Sequence, residues 1–253
     1  MSVQWKDGED ERSGPSWKQL VDQAACLLDF DPDLLRVRGT DLQILEYFMA
    51  RNQGEPAELT NWLVRSMNPP DKALLESPIL QELAQLDKCK IFYTTNYDDF
   101  LERSMRLSGR ECNVVACEAD IGMNSTNCEV VKFHGDLNHP TMMVLSESHY
   151  EERLSFNTVM DYRLWSDVLG RAVLFIGYSF RDPNVSYLFR VINRLFRKLP
   201  SSLTGKRAYI LVADPSEFEI LLYNERNIEV IPIHGASLSD DTASFLAELR
   251  DSS

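Results

Sequence analysis

The sequence predicts an α/β fold, with a doubly wound, mostly parallel Rossmann-like sheet and a helical insert subdomain. Three apolar runs carry this prediction, and each ends abruptly in small or polar residues: IFYTTNYD at 91–98, VVKFHG at 130–135 and AVLFIGYS at 172–179. Such runs are typical of buried parallel strands. Because ligands bind outside the carboxyl ends of the strands in open α/β sheets, we expect the three strand ends to share one crevice.

The composition fits a globular domain, since 44% of the 253 residues are hydrophobic and 26% are charged. No apolar run approaches the length that spans a membrane, and the polar, acidic amino terminus resembles neither a secretory signal nor a transit peptide. We therefore expect a cytoplasmic location. A net charge of −13 argues against direct nucleic-acid binding, because a phosphate-tracking surface needs clustered cations.

Cysteine usage argues against a metal site. The chain has five cysteines, at positions 26, 89, 112, 117 and 128, and none of them forms a CxxC pair. Structural zinc sites draw on such closely spaced pairs. We expect reduced, structural thiols and no bound metal.

The chain divides into a short tail and one folded domain. Residues 1–13 are charged and lack periodicity, which predicts a disordered tail before a domain at 14–253. A helix is expected after Gly14 and Pro15, with Ser16 as its possible N-cap. From about 40 to 88, helical patterns separated by glycine and proline predict the insert, which can cover the crevice.

Asn96 and Asp98 lie at the end of the second strand pattern, two residues apart. They can face the same side while Tyr97 turns away. An amide side chain can position a water or a ribose hydroxyl, and a carboxylate can accept a hydrogen bond from an amide or a hydroxyl. The alternative is that both side chains cap the helix that follows.

His134 follows an apolar strand and precedes Gly135, a residue that permits close approach of the backbone. A lone histidine is more often structural than catalytic. An imidazole with a pKa near 6.5 is nevertheless largely neutral at cellular pH, so it can accept a proton from a ribose hydroxyl or a water.

Three motifs, TTNYD, HGD followed by NHP, and FIGYSFRDPNV, resemble in order and spacing the core motifs of the sirtuin superfamily. The resemblance is to its bacterial branch, the sirtuin-like NADases of anti-phage defence, and it covers most of the chain. It implies that His134 is the general base and that Asn96 orients the attacking water. It also implies a set of cofactor-binding residues: Asp98, Thr95, Gly177, Ser179 and Gly135.

The implied activity is that of an NAD+ glycohydrolase, which cleaves NAD to nicotinamide and ADP-ribose with NAD as substrate and no metal. The implied partners are further copies of the chain or a second defence protein, a sensor or an ATPase. One difference from the family pattern leaves a second interpretation of the function open. The family's glycine-rich strand and loop, which cradle the NAD phosphates, do not precede the first helix pattern. The alternative is a catalytically impaired module that binds nucleotides or a protein.

Overall fold

The computed structural model describes residues 3–7, 10–122, 127–155, 157–178, 193–194, 208–235 and 237–252. The chain forms two compact units. The first comprises residues 2–153 with 249–253, and the second comprises residues 154–248. None of the helices in these ranges is long and apolar enough to cross a membrane.

Helices precede the core strands and are then interspersed with them. Before the core strands come β1 (Gln4–Asp7), β2 (Asp10–Ser13), α1 (Trp17–Leu27), α2 (Pro32–Arg36), α3 (Asp41–Arg51), α4 (Ala57–Ser66), α5 (Asp71–Leu75) and α6 (Pro78–Gln85). Then come β3 (Ile91–Thr94), α7 (Phe100–Leu107), β4 (Asn113–Val115), β5 (Glu129–Lys132), α8 (Glu147–Leu154), α9 (Val159–Gly170) and β6 (Val173–Phe175). The chain continues with β7 (Ala208–Ala213), α10 (Glu217–Asn224), β8 (Ile228–Ile233) and α11 (Leu238–Asp251).

Within the described residues, each unit contains a parallel sheet of three strands. In the first unit the strand order is β3-β5-β4, and in the second it is β6-β7-β8. Parallel strands need crossover connections, and α7 lies between β3 and β4 while α10 lies between β7 and β8. Pro232 lies in β8, an edge strand, where a missing N–H can be tolerated. The prediction of an α/β fold with mostly parallel strands is confirmed.

The helices α1, α3 and α4 form the main apolar core of the first unit. Leu20, Val21, Leu45, Phe48 and Leu59 are among its buried members. Helix α1 begins with a capping box, because Ser16 Oγ accepts a hydrogen bond from Gln19 N while Gln19 Oε1 accepts one from Ser16 N. The expected N-cap at Ser16 is thus confirmed. The helical region expected at about 40–88 contains α3 to α6.

The amino terminus differs from the disordered tail that the sequence predicts over residues 1–13. Strands β1 and β2 pair as an antiparallel hairpin, with Gln4 opposite Ser13. Val3 is buried against Leu74 and Phe100. A hairpin with so few apolar residues has no local pattern strong enough to predict it, and its order comes from packing against residues far away in the sequence.

The cysteines also differ from expectation. Cys112 and Cys128 form a disulfide, with their Cα atoms 4.6 Å apart, whereas Cys26, Cys89 and Cys117 are free. Cys112 directly precedes β4 and Cys128 directly precedes β5, and Asn113 N donates to Cys128 O at 2.9 Å. The sulfur atoms meet because two neighbouring parallel strands begin side by side, an arrangement that cysteine spacing alone does not reveal.

Candidate functional site

The candidate site lies in the first unit, where β3 and β5 end side by side. Thr94 pairs with Lys132 in the ladder, and Phe133 N donates to Thr94 O at 2.8 Å. One step further, Leu137 N donates to Tyr97 O at 3.4 Å. The loop after β3, which carries Asn96, therefore runs beside the loop after β5, which carries His134.

Asn96 projects from the first of these loops into solvent. Its backbone N–H donates to Thr94 Oγ1 at 3.1 Å, and its side-chain amide makes no hydrogen bond with a residue in the described ranges. The next residue, Tyr97, is buried, and its hydroxyl donates to Val144 O at 2.7 Å. Asn96 is thus held by its backbone while its amide is available to a ligand.

Asp98 takes part in starting helix α7. Its Oδ1 accepts a hydrogen bond from Phe100 N at 3.1 Å, so the helix-capping alternative applies to Asp98 and not to Asn96. Burial raises the pKa of Asp98 above the usual carboxyl value, although the charge of Lys132 acts in the opposite direction. One oxygen of Asp98 is therefore committed to the helix.

A buried ion pair lies beneath the two loops. Lys132 Nζ is 2.8 Å from Glu102 Oε1 and also donates to the backbone carbonyl of Asp98. The Lys132 side chain is 1% exposed and that of Glu102 is 8% exposed. The pair ties β5 and α7 to the loop of Asn96. Sequence reasoning missed it, although a lysine inside the apolar run VVKFHG is a visible signal, because lysine is almost never fully buried unless it is paired.

His134 is almost completely enclosed, with 2% of its surface exposed. Its ring centroid lies 5.5 Å from that of Tyr150 on α8 and 6.0 Å from that of Phe133. Burial lowers the pKa of His134 to about 3, and the positive charge of Arg153 contributes. The imidazole is therefore neutral throughout the physiological range. Tyr150 and Arg153 were not identified from the sequence, since α8 carries no motif.

The local backbone conformation and the nearby backbone of Met142 both require glycine at position 135. Its φ is +76°, and a Cβ at this position would lie 2.8 Å from the carbonyl oxygen of Met142. A residue with a side chain would be strained in this conformation and would collide with backbone that cannot easily move. The close approach that the sequence predicts at Gly135 is thus an approach to the chain's own backbone.

The remaining predicted cofactor residues are dispersed. Thr95 lies between β3 and Asn96 and is partly buried. Gly177 follows β6 in the second unit, is exposed and has a φ of +75°. Ser179 lies outside the described residues. The strand ends of β3 and β5 lie together, and a crevice shared with the end of β6 stays a prediction.

The site combines an exposed amide with a neutral, buried imidazole on adjacent loops. The amide can donate or accept a hydrogen bond to orient a water or a hydroxyl, and the imidazole can accept a proton. In the described part of the chain, no group of three or more His, Cys, Asp and Glu side chains is arranged to hold a metal ion.

Comparisons with known proteins identify relatives of this chain. The family model described as "SIR2-like domain" matches residues 90–231, which include both loops. The chain is similar to proteins named NAD(+) hydrolase ThsA. It is 27% identical over 183 residues to that of Cytobacillus dafuensis, 26% over 192 to that of Acinetobacter baumannii (strain 532279), and 24% over 189 to that of Bacillus cereus (strain MSX-D12). These matches cover 71–72% of this chain and 35–37% of the relatives' length.

Proposed function

Because the chain belongs to the SIR2-like domain family, we propose that it hydrolyses the nicotinamide glycosidic bond of NAD. One observation of the structure supports this more than any other. The paired ends of β3 and β5 place the loops of Asn96 and His134 side by side, joined by the hydrogen bonds from Phe133 N to Thr94 O and from Leu137 N to Tyr97 O.

In the proposed reaction the bond between nicotinamide and the ribose breaks, and its electrons leave with nicotinamide. The ribose carbon becomes electron-poor and oxocarbenium-like, as in other glycoside cleavages. A water held by the Asn96 amide adds to that carbon, and His134 accepts the proton that the water loses. The products are nicotinamide, ADP-ribose and a proton.

The low pKa of His134 is compatible with this role. A pKa of about 3 makes the imidazole a weak base, but it keeps the ring neutral and able to accept a proton. The electrophilic ribose carbon increases the acidity of the water that attacks it, so a weak base is sufficient.

Asp98, Thr95 and Gly135 are proposed to contribute to the NAD site from the same two loops, and Gly177 and Ser179 are proposed as further cofactor-binding residues. Asp98 holds the nicotinamide or its ribose through the carboxylate oxygen that does not bond Phe100 N. The proposed setting is bacterial anti-phage defence in the cytoplasm, where depletion of NAD stops the infected cell. The chain would act there as a homo-oligomer or with a second defence protein.

The experiment is NAD consumption by the purified chain with detection of nicotinamide. We expect turnover in the wild type and a loss of roughly a hundredfold or more in His134→Ala and in Asn96→Ala, because each change removes a group that acts on the water. Matched controls are His234→Ala and Asn61→Ala, since both side chains are exposed and far along the chain from the two loops. Equal turnover in all five proteins would exclude the proposed site.

A nucleotide-binding module without turnover is a second candidate, and the burial of His134 favours it. An imidazole that is 2% exposed has little access to a substrate water. The same variants separate the two candidates. Saturable NAD or ADP-ribose binding that weakens in Asn96→Ala, with no release of nicotinamide, would establish the binding module.

A further inference from the structure

Helix α8 packs over the imidazole of His134. The ring centroids of Tyr150 and His134 are 5.5 Å apart, and Arg153 Cζ lies 4.7 Å from the ring centroid of Phe133, the residue before His134. In this arrangement His134 is 2% exposed. A side chain that accepts a proton from a water needs that water within hydrogen-bond distance. The structure is therefore closed at His134, and α8 is an element that closes it.

α8 buries few of its own side chains. Among those at 147–153, which the structure describes, only that of Tyr150 is buried. Its ring contacts Trp17 at the start of α1 as well as His134, and the centroids of Tyr150 and Trp17 are 6.3 Å apart. Segments that bury few apolar side chains open locally at a lower free energy than core elements do. α8 can thus open while the core of α1, α3 and α4 stays folded.

Glu46 on α3 holds the first turn of α8. Its Oε2 accepts hydrogen bonds from Ser148 N at 2.9 Å and from Ser148 Oγ at 2.8 Å. The bond from the Ser148 backbone lowers the pKa of Glu46 more than partial burial raises it, so the acceptor is a carboxylate. Hydrogen bonds to an ionised acceptor are stronger than those between neutral groups. These two bonds therefore fasten α8 to α3.

We infer that α8 is a lid over His134, that the two bonds from Ser148 to Glu46 are its latch, and that NAD reaches His134 when the lid is open. Access of NAD rests on the proposed hydrolysis of NAD, whereas the lid and its latch do not. If only open molecules bind NAD, the apparent affinity is reduced by the fraction of molecules that are open. A weaker latch should then improve binding.

The first test does not depend on activity. Diethyl pyrocarbonate modifies neutral imidazoles, and mass spectrometry reads its reaction with each histidine at about pH 7. The His234 side chain is 68% exposed and gives the rate without protection. We expect His134 to react roughly tenfold to a thousandfold more slowly, in proportion to the minor open population.

Weakening the latch should speed this reaction. Glu46→Gln is expected to raise the labelling rate of His134 about tenfold, because it weakens two charge-assisted hydrogen bonds. Ser148→Ala removes only the bond from the hydroxyl and should raise the rate about threefold. Glu58→Gln, which removes an exposed carboxylate from the first turn of α4, is the matched control and should change nothing.

Urea distinguishes opening of the lid from unfolding of the whole chain. Local opening exposes little surface, so the labelling rate of His134 should stay constant at urea concentrations well below the unfolding transition. Ser148 is exposed, so Ser148→Ala tests the latch even if Glu46→Gln does not fold.

The second test is NAD turnover. Glu46→Gln should lower the KM for NAD about tenfold and leave kcat nearly unchanged, because more molecules are open while the groups that act on the water are the same. General damage to the structure would change turnover in the opposite direction.

The outcomes separate the lid from the hydrolysis. Labelling of His134 at equal rates in the wild type, Ser148→Ala and Glu58→Gln, or as fast as that of His234, would overturn the lid. Faster labelling in the latch variants with an unchanged KM would overturn the role of the lid in NAD binding. Faster labelling without release of nicotinamide from any of the proteins would support the lid and exclude the hydrolysis.

Discussion

At His134, burial is the main reason why the chemistry differs from what the residue type predicts. An exposed imidazole has a pKa near 6.5, whereas the environment of Phe133 and Tyr150 lowers the pKa of His134 to about 3, because the imidazolium would lose its hydration. The neighbouring Asn96 is exposed and keeps its ordinary amide chemistry. Two side chains on adjacent loops therefore lie in different environments, one exposed and one buried.

The first prediction concerns stability as a function of pH. Between pH 6.5 and about 3, the unfolded chain binds a proton at His134 and the folded chain does not, so the free energy of unfolding should fall as the pH falls through this range. Relative to His134→Asn, the wild type should lose roughly 2 kcal/mol more between pH 7.5 and pH 5.0. Denaturant unfolding at both pH values measures this difference.

Both proteins contain the same carboxylates, so the contribution of these groups to the pH dependence of stability cancels when the wild type is compared with His134→Asn. His234→Asn is the matched control, because the His234 side chain is 68% exposed. If the wild type and His134→Asn lose stability in parallel, the imidazole is not protected from protonation as the structure indicates.

At the scale of elements, the strand β5 and the helix α7 position the site through a buried ion pair. Lys132 contacts both Glu102 and the carbonyl of Asp98, so it connects strand, helix and loop. Burial raises the pKa of Glu102, and Lys132 acts in the opposite direction by favouring the carboxylate. Each charge is tolerated in the interior because the other is present.

The second prediction follows from this dependence. Lys132→Met should lower the free energy of unfolding by about 3–5 kcal/mol, because it leaves the Glu102 carboxylate buried and unpaired. Combining it with Glu102→Leu should restore most of the loss, since a pair of apolar side chains can replace a buried ion pair. Denaturant unfolding of the two single variants and the double variant measures these changes in the free energy of unfolding.

Lys72→Met is the matched control for this prediction, because Lys72 forms an exposed pair with Glu76 and should contribute little. A double variant that is as unstable as the sum of its single variants would show that the two side chains do not stabilise each other.

At the scale of the whole molecule, charge limits the partners. The net charge is −13, and association with nucleic acid gains most of its free energy from cations that displace counterions on phosphates. The chain spans 35–37% of the length of the relatives named NAD(+) hydrolase ThsA, so their whole-protein properties do not transfer to it directly.

The third prediction is that the chain does not bind duplex DNA. Fluorescence anisotropy of a labelled duplex should stay unchanged on titration at low salt, where electrostatic binding is strongest. The sequence has one cluster of basic residues, at positions 190, 194, 197 and 198. Saturable binding that decreases with salt would contradict the prediction, and Arg194→Glu would then show whether this cluster is responsible.

Much of the fold and part of the site could be read from the order of residues. Apolar runs that end in polar residues predicted β3, β5 and β6, and local sequence patterns predicted α1 and the helices of the insert, α3 to α6, because alternation and helical periodicity are properties of adjacent residues. The polar ends of these strands included Asn96 and His134. The pairing of β3 with β5 then brings their loops together.

The features of the fold and the site that the sequence did not predict depend on contacts between distant parts of the chain. The pairing of Lys132 with Glu102 and the enclosure of His134 by Tyr150 join residues whose local patterns do not reveal one another. The order of the amino-terminal hairpin and the disulfide likewise depend on contacts between distant segments. Burial sets the cost of charge, and only the folded chain determines which side chains are buried together.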